Sequence, residues 1–249
     1  MSLSITVLGC SGSYAAPGSA CSGYLVRSAT TSLWVDCGPG SLANLQEHLA
    51  LEDVDAILVS HVHPDHFGEL PVAYNALKWY LGHDSMPVHT TAEVRRLTDI
   101  ICGPTDDLFE WHVLDPVASF TVSDITVRCD VTDHPVETLA MRFDHAGRSI
   151  VYTADTGPAW DPMSLAHGAD VMVCDSTVMS AEWNDMVPHL SAADAGEFAS
   201  RCAVGRLVLT HAAPGSDVEA HLDEARTAAA GIDVVAARIG LVVELATDV

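Results

Sequence analysis

A chain of 249 residues with 49% hydrophobic and 18% charged side chains has the make-up of a folded protein with a substantial core. Its 34 acidic residues against 11 basic ones leave a formal net charge of -23, a surface that repels phosphate backbones and anionic bilayers and argues against general nucleic-acid or membrane binding. No apolar stretch approaches the roughly 18 residues of a membrane span, and seven scattered cysteines without Cys-x-x-Cys spacing argue against a disulfide framework or zinc ribbon and fit a reducing cytoplasm.

Short runs rich in Val, Ile and Leu read as strands with covered faces. Ser4–Leu8, Gly23–Arg27 and Ser32–Asp36 come first, separated by Gly, Ser and Ala-Pro turns. Val7-Leu8-Gly9-Cys10 has the look of a lipoprotein cleavage box, but no basic region precedes it, so it reads as a strand entering a turn. A helix is expected at Leu42–His48, after Cys37-Gly38-Pro39-Gly40, and a buried strand at Ala56–Ser60. Helices follow from Gly68 towards Lys78 and at Thr91–Ile101, then strands at Glu110–Leu114, Ile125–Val131, Leu139–Phe143 and Ser149–Thr153. The remainder alternates: strand Val171–Asp175, helix Ser191–Ala203, strand Arg206–Thr210, helix Val218–Ala230 and strand Leu241–Leu245. No linker interrupts the series, so one domain is expected over residues 1–249, an α/β (α+β) four-layer αββα sandwich.

The chemistry concentrates in His61-Val62-His63-Pro64-Asp65-His66, directly after a buried strand. A single histidine is ordinarily a hydrogen-bonded surface or core residue; four ligand-type side chains in six positions are not. His61 and His63 project to one side of an extended turn and can share an ion, while Asp65 and His66 reach a second. Three more candidates end apolar strands: His134, Asp155 and His211. A carboxylate between two cations bridges them, and Asp155 is the natural bridge. Imidazole and carboxylate donors suit two divalent ions, zinc first, with manganese or iron also compatible. His189 precedes Ser191-Ala192-Ala193-Asp194, an S-x-x-D capping box, so it is expected at the mouth of a helix N-terminus where an anion could sit. His48, His83, His89, His112, His145, His167 and His221 read as surface residues. Tyr74, Trp79 and Tyr80 read as a core-facing helix stripe, with a pocket wall as the alternative.

The His61–His66 loop resembles the H-x-H-x-D-H signature of the metallo-β-lactamase superfamily, and His134, Asp155 and His211 stand in the order of its later ligands. Within that superfamily the chain is similar to the ribonuclease Z-like branch in Val7-Leu8-Gly9-Cys10-Ser11-Gly12-Ser13, Asp36-Cys37-Gly38-Pro39-Gly40, Tyr152-Thr153-Ala154-Asp155-Thr156-Gly157 and Leu209-Thr210-His211. His189-Leu190-Ser191 stands where that branch carries an extra catalytic histidine. The resemblance implies one metal on His61, His63, His134 and Asp155, and another on Asp65, His66, Asp155 and His211. It also implies catalytic roles for Asp65 and His189 in attack on phosphorus, and a homodimer. Enzymes of that branch that process transfer RNA insert a long basic arm between the third His and the bridging Asp. Here that interval is 21 residues, which a strand pair fills. The expectation is therefore a cytoplasmic hydrolase of small phosphodiesters, similar to the short, atypical bacterial cyclic-nucleotide phosphodiesterases. The competing readings are a tRNA 3′ endonuclease, a lactonase or carboxylic-ester hydrolase, and a regulatory protein that binds metal without turnover.

Overall fold

Strand residues in the chain's centre are buried on both faces, and the fold follows from covering them. The computed structural model describes residues 2–184 and 186–246. Six strands come first: β1 (Ser2–Gly9), β2 (Gly23–Arg27), β3 (Ser32–Val35), β4 (Ala56–Val59), β5 (Met86–Thr90) and β6 (Phe109–Val113). Then follow β7 (Ser119–Val122), β8 (Ile125–Val131), β9 (Leu139–His145), β10 (Arg148–Tyr152), β11 (Val171–Asp175), β12 (Arg206–Thr210) and β13 (Asp233–Ala236). The last strand, β14 (Val242–Ala246), returns to the edge of the first sheet beside β1.

Two seven-stranded mixed sheets result, ordered β14-β1-β2-β3-β4-β5-β6 and β13-β12-β11-β10-β9-β8-β7. Ile5, Val26, Leu58, Val127, Met141, Ile150 and Val208 belong to the apolar layer between them. The outer face of the first sheet is covered by α1 (Ser41–Leu45), α2 (Pro64–Phe67), α3 (Leu70–Asn75) and α4 (Ala92–Cys102), which contribute Leu45, Phe67, Leu70 and Val94 to a second core. The second sheet is covered by α5 (Met163–Ala166), α6 (Ala192–Cys202) and α7 (Val218–Ala228), through Leu165, Phe198 and Leu222. The expected four-layer αββα order is thus present.

Three of the expected strands, Gly23–Arg27, Ile125–Val131 and Val171–Asp175, fall on their predicted bounds, as does Arg206–Thr210. β5, β7 and β13 were not expected: β5 carries Pro87 and His89, and the others are four-residue edge or near-edge strands with little apolar pattern. The helix expected to reach Lys78 ends at Asn75 and continues as a wider, π-type turn over Ala76–Leu81. That widening changes which side chains face inward. Tyr74 is buried, whereas Trp79 is 68% and Tyr80 88% exposed, against the expectation of a core stripe. Three histidines expected at the surface are also buried. His89 is stacked between His112 and Phe120, with ring centroids 4.4 and 4.2 Å away; His145 donates Nδ1–H to the Asp124 carbonyl at 2.9 Å; and His221 packs on the inner side of α7. All seven cysteines are free thiols. Among the described residues, no helix is long and apolar enough to cross a membrane.

The functional consequence lies in the parallel strands. β3 to β6 run parallel in one sheet and β10 to β13 in the other. Their carboxyl ends, with the turns that leave them, collect the polar residues of both sheets along one edge of the sandwich, the usual place for a site in such sheets.

Candidate metal centre

Each side chain of the centre is delivered by a chain segment leaving a strand. Ser60 and His61 follow β4, His134 follows β8, Asp155 follows β10, Asp175 ends β11 and His211 follows β12. Asp36, Ala154 and His211 have φ of 57, 51 and 64°, so the backbone turns through the left-handed region as it leaves β3, β10 and β12. Non-glycine residues there store strain, and such strain clusters at functional sites.

The seven sequence-predicted metal residues come together. His134 Nε2 lies 3.1 Å from His63 Nδ1, and His61 Nε2 and His134 Nε2 lie 3.6 and 3.8 Å from Asp155 Oδ2. On the other side, His66 Nε2 lies 3.2 Å from His211 Nε2, 3.2 Å from Asp155 Oδ1 and 3.7 Å from Asp65 Oδ2. His211 Nε2 is 3.2 Å from Asp65 Oδ2 and 3.4 Å from Asp155 Oδ1. Asp155 therefore turns one carboxylate oxygen to each half.

Donors about 2.0–2.1 Å from a shared tetrahedral ion stand roughly 3.3 Å apart, which is the spacing of these atoms. The protonation pattern agrees. His61 Nε2 and Asp155 Oδ1 are buried without a hydrogen-bond partner, a costly state unless a cation engages them. Burial holds His61, His63 and His134 below the ordinary imidazole range, so their lone pairs are free to ligate. Burial opposes charge on His66 too, but Asp155 and Asp36 on either side draw its proton affinity up. Burial likewise disfavours ionised Asp65 and Asp155, yet the neighbouring imidazoles hold both well below the usual carboxylate range. The pocket wants positive charge, and its histidine and aspartate clusters suit a metal.

Residues 31–212 match the family described as the beta-lactamase superfamily domain. The chain belongs to the metallo-β-lactamase superfamily. Rv1339, a protein of Mycobacterium tuberculosis named only as uncharacterized, is 33% identical to it over 240 residues, 91% of this chain and 86% of that protein. The ribonuclease Z of Mycobacterium bovis is 30% identical over 244 residues, 85% of this chain and 86% of that enzyme. The crystal structure of YhfI, a metallo-beta-lactamase fold protein of Bacillus subtilis, aligns with a TM-score of 0.90 at 27% identity, covering 98% of this chain and 99% of that one.

Two residues of this superfamily member escaped the sequence reading, and both orient candidate ligands. Asp36 is fully buried; its Oδ2 accepts from His66 Nδ1 at 2.7 Å, Tyr152 OH at 2.7 Å and Ser60 Oγ at 2.9 Å. With its own hydrogen committed to Asp36, Ser60 Oγ accepts from His61 Nδ1 at 3.0 Å. Asp175 repeats the device. It takes His189 Nδ1–H at 2.9 Å and Thr177 Oγ–H at 2.7 Å, and Thr177 Oγ1 in turn accepts from His211 Nδ1 at 2.8 Å. In both relays a carboxylate fixes the Nδ1–H tautomer and so aims Nε2 at the centre.

His189 stands over this edge, its ring 5.1 Å from that of His211 and 5.4 Å from that of His134. Burial lowers its basicity, but Asp175 outweighs burial and lifts its pKa to about 9. The capping box forms as expected: Ser191 accepts from the Asp194 amide and Asp194 from the Ser191 amide. The adjoining anion site does not. The first amides of α6 are already taken, Ala192 by Val178 O, Ala193 by Glu224 Oε1 and Asp194 by Ser191 Oγ. His189, rather than the helix end, is the group that stands at this edge.

Proposed function

We propose that this chain is a dinuclear metal-dependent hydrolase of small phosphodiesters, a cyclic nucleotide being the class that fits best. His61, His63, His134 and Asp155 would hold one divalent ion; Asp65, His66, Asp155 and His211 would hold the other, with zinc the first choice for this nitrogen and oxygen donor set. When bound, such ions acidify water and neutralise charge on phosphoryl oxygens.

The chain's own residues supply the rest. The observation that carries the reading is His189: its Nδ1–H is tied to Asp175 at 2.9 Å and its pKa is raised to about 9. An imidazolium there holds a proton at Nε2 for a departing alkoxide and pairs with the negative charge of a phosphoryl group. Asp65 Oδ2 accepts the Ser13 amide at 2.8 Å, which fixes its orientation towards the same edge. A carbonyl substrate gains less from a cationic group at this point, which ranks the lactonase reading lower.

A second reading, a tRNA 3′ endonuclease, draws support from the likeness to ribonuclease Z. Against it stand the net charge of -23 and the stretch between His134 and Asp155, which is occupied by the hairpin of β9 and β10. The test is one preparation with measured metal content, assayed on bis-p-nitrophenyl phosphate, 3′,5′-cyclic AMP, an acyl lactone and a precursor tRNA transcript. Turnover of the first two is expected. Turnover of the lactone or the transcript alone would replace the proposal, and none at all with metals bound would favour a regulatory binding protein.

A further inference from the structure

A second cavity, of about 350 Å³, lies behind the turn that carries His211, and none of the seven metal-type residues lines it. Its walls are the turn at residues 10–19, the segment 212–216, the first turn of α7 and the connection from β13 to β14 at 236–239. Leu209, Ala213, Val218, Ala236 and Ile239 make those walls mostly apolar. The volume lies at the lower end of the roughly 300–1,000 Å³ typical of small-molecule pockets.

Two polar side chains on this cavity make no hydrogen bond or ion pair among the described residues. His221 is only 3% exposed, and its Nδ1 is buried with no hydrogen bond. Glu224, one turn further along α7, attracts it electrostatically but makes no hydrogen bond to it, its Oε1 being held by the Ser180 amide and hydroxyl and the Ala193 amide. Arg238 is exposed at the rim and has no carboxylate partner among the described residues. In a chain with 34 acidic side chains that is unusual. Among the described residues Arg27 shares this state, whereas Lys78 and the arginines at 95, 96, 128, 142, 148, 201, 206 and 226 have such partners. Among the described residues no aspartate or glutamate lines the cavity, and burial pushes the Cys10 thiol up to about 11, so it is neutral and adds no negative charge.

We propose that this cavity binds a small organic monoanion, a carboxylate with a compact apolar body. The body would lie against Val218, Ala236 and Ile239. The carboxylate would pair with Arg238, whose planar fork matches it, and accept a hydrogen bond from His221. A single guanidinium over apolar walls suits one carboxylate better than a phosphate, which gathers several donors. The site is independent of the reaction assigned to the metal centre. It adjoins that centre through backbone hydrogen bonds from His211 N to Cys10 O and from Gly12 N to Ala212 O.

The test is isothermal titration of the metal-replete protein with benzoate and 3-methylbutanoate, using benzamide and 3-methylbutanamide as uncharged controls. Saturable binding of an acid and none of its amide is expected. Arg238→Ala should weaken it by about tenfold or more, and Val218→Trp, at an exposed helix position that tolerates a larger side chain, should abolish it by filling the cavity. No saturation by either acid at about 10 mM would overturn the proposal. Equal binding of the amides would do the same. So would acid binding that survives Val218→Trp but disappears when the metals are removed, because the carboxylate would then sit on the ions.

Discussion

Replacing Gly38 by alanine probes how tightly the metal centre is built into the turn after β3. A Cβ on Gly38 would lie 2.1 Å from the Asp65 carbonyl oxygen, 2.7 Å from the Ser22 carbonyl oxygen and 2.8 Å from Cys21 Cβ. None of these is the free end of a flexible side chain. A carbon–oxygen contact needs about 3.3 Å, so the turn and the ligand loop must part by about 1 Å. The Cys37 amide donates to His66 O and the Glu69 amide to Cys37 O, so the displacement passes directly to Asp65 and His66. Overpacking should cost about 1–3 kcal/mol of stability. A misplacement of about 1 Å should lower phosphodiester turnover by about 10²-fold. Metal per chain, turnover of bis-p-nitrophenyl phosphate and urea unfolding are measured together. Gly196→Ala is the control, since its Cβ would press on Ala225 O at 2.5 Å and Ala228 Cβ at 2.9 Å, between α6 and α7 and away from any ligand. It should lose stability while keeping metal and turnover. If Gly38→Ala keeps its full metal content and turns over like the control, the reasoning is refuted.

His189→Ala should retain metal while turnover falls by roughly 10²–10⁴-fold; metal lost in parallel with activity would make His189 a ligand instead. Asp175→Asn removes the acceptor shared by His189 and the Thr177–His211 pair, so metal affinity should fall by about 10–100-fold together with turnover. Equilibrium dialysis of the ion with unchanged affinity would contradict that role. Acid stability tests His89, whose pKa is lowered from 6.5 to about 4 by burial and by His112. The folded state prefers it neutral, while the unfolded chain takes the proton near 6.5. Stability is therefore fully present above 6.5 and is lost as pH falls towards 4, by about 3 kcal/mol at about 1.4 kcal/mol per pH unit. His89→Phe keeps an apolar ring in the stack and should lose about 2.5 kcal/mol less between pH 7 and 4.5 in urea titrations; equal losses would sink the argument.

The metal-type residues were legible because ligation demands particular side chains at strand ends, and His61–His66 packs four of them into one turn. His134, Asp155 and His211 needed only the further rule that an apolar strand ends on them. Asp175 obeys the same rule and could have been found by it. Asp36 also ends an apolar strand, but its partners lie 24 and 30 positions away, so nothing local shows which histidines it serves. Burial of His89 and His145 was hidden for a related reason: each is decided by what crosses over it, a stacked ring or a carbonyl from the preceding hairpin turn, and that of His221 by which side of α7 meets the sheet. The π-type turn at Ala76–Leu81 likewise left no sequence signal that separates Tyr74 from Trp79 and Tyr80. The amides of α6 were overlooked as occupied because Glu224, one of their acceptors, comes from a different helix.

Each of the two relays ends on a single carboxylate that serves two imidazoles, Asp36 for His61 and His66, Asp175 for His189 and His211. His61 and His66 reach opposite oxygens of Asp155, so Asp36 ties the two halves together from behind. An ion captured on one side also draws on the carboxylate that the other side needs. Loading of this centre should accordingly be an interdependent event rather than two separate fillings, and a calorimetric titration would trace it as a curve that independent sites fail to fit.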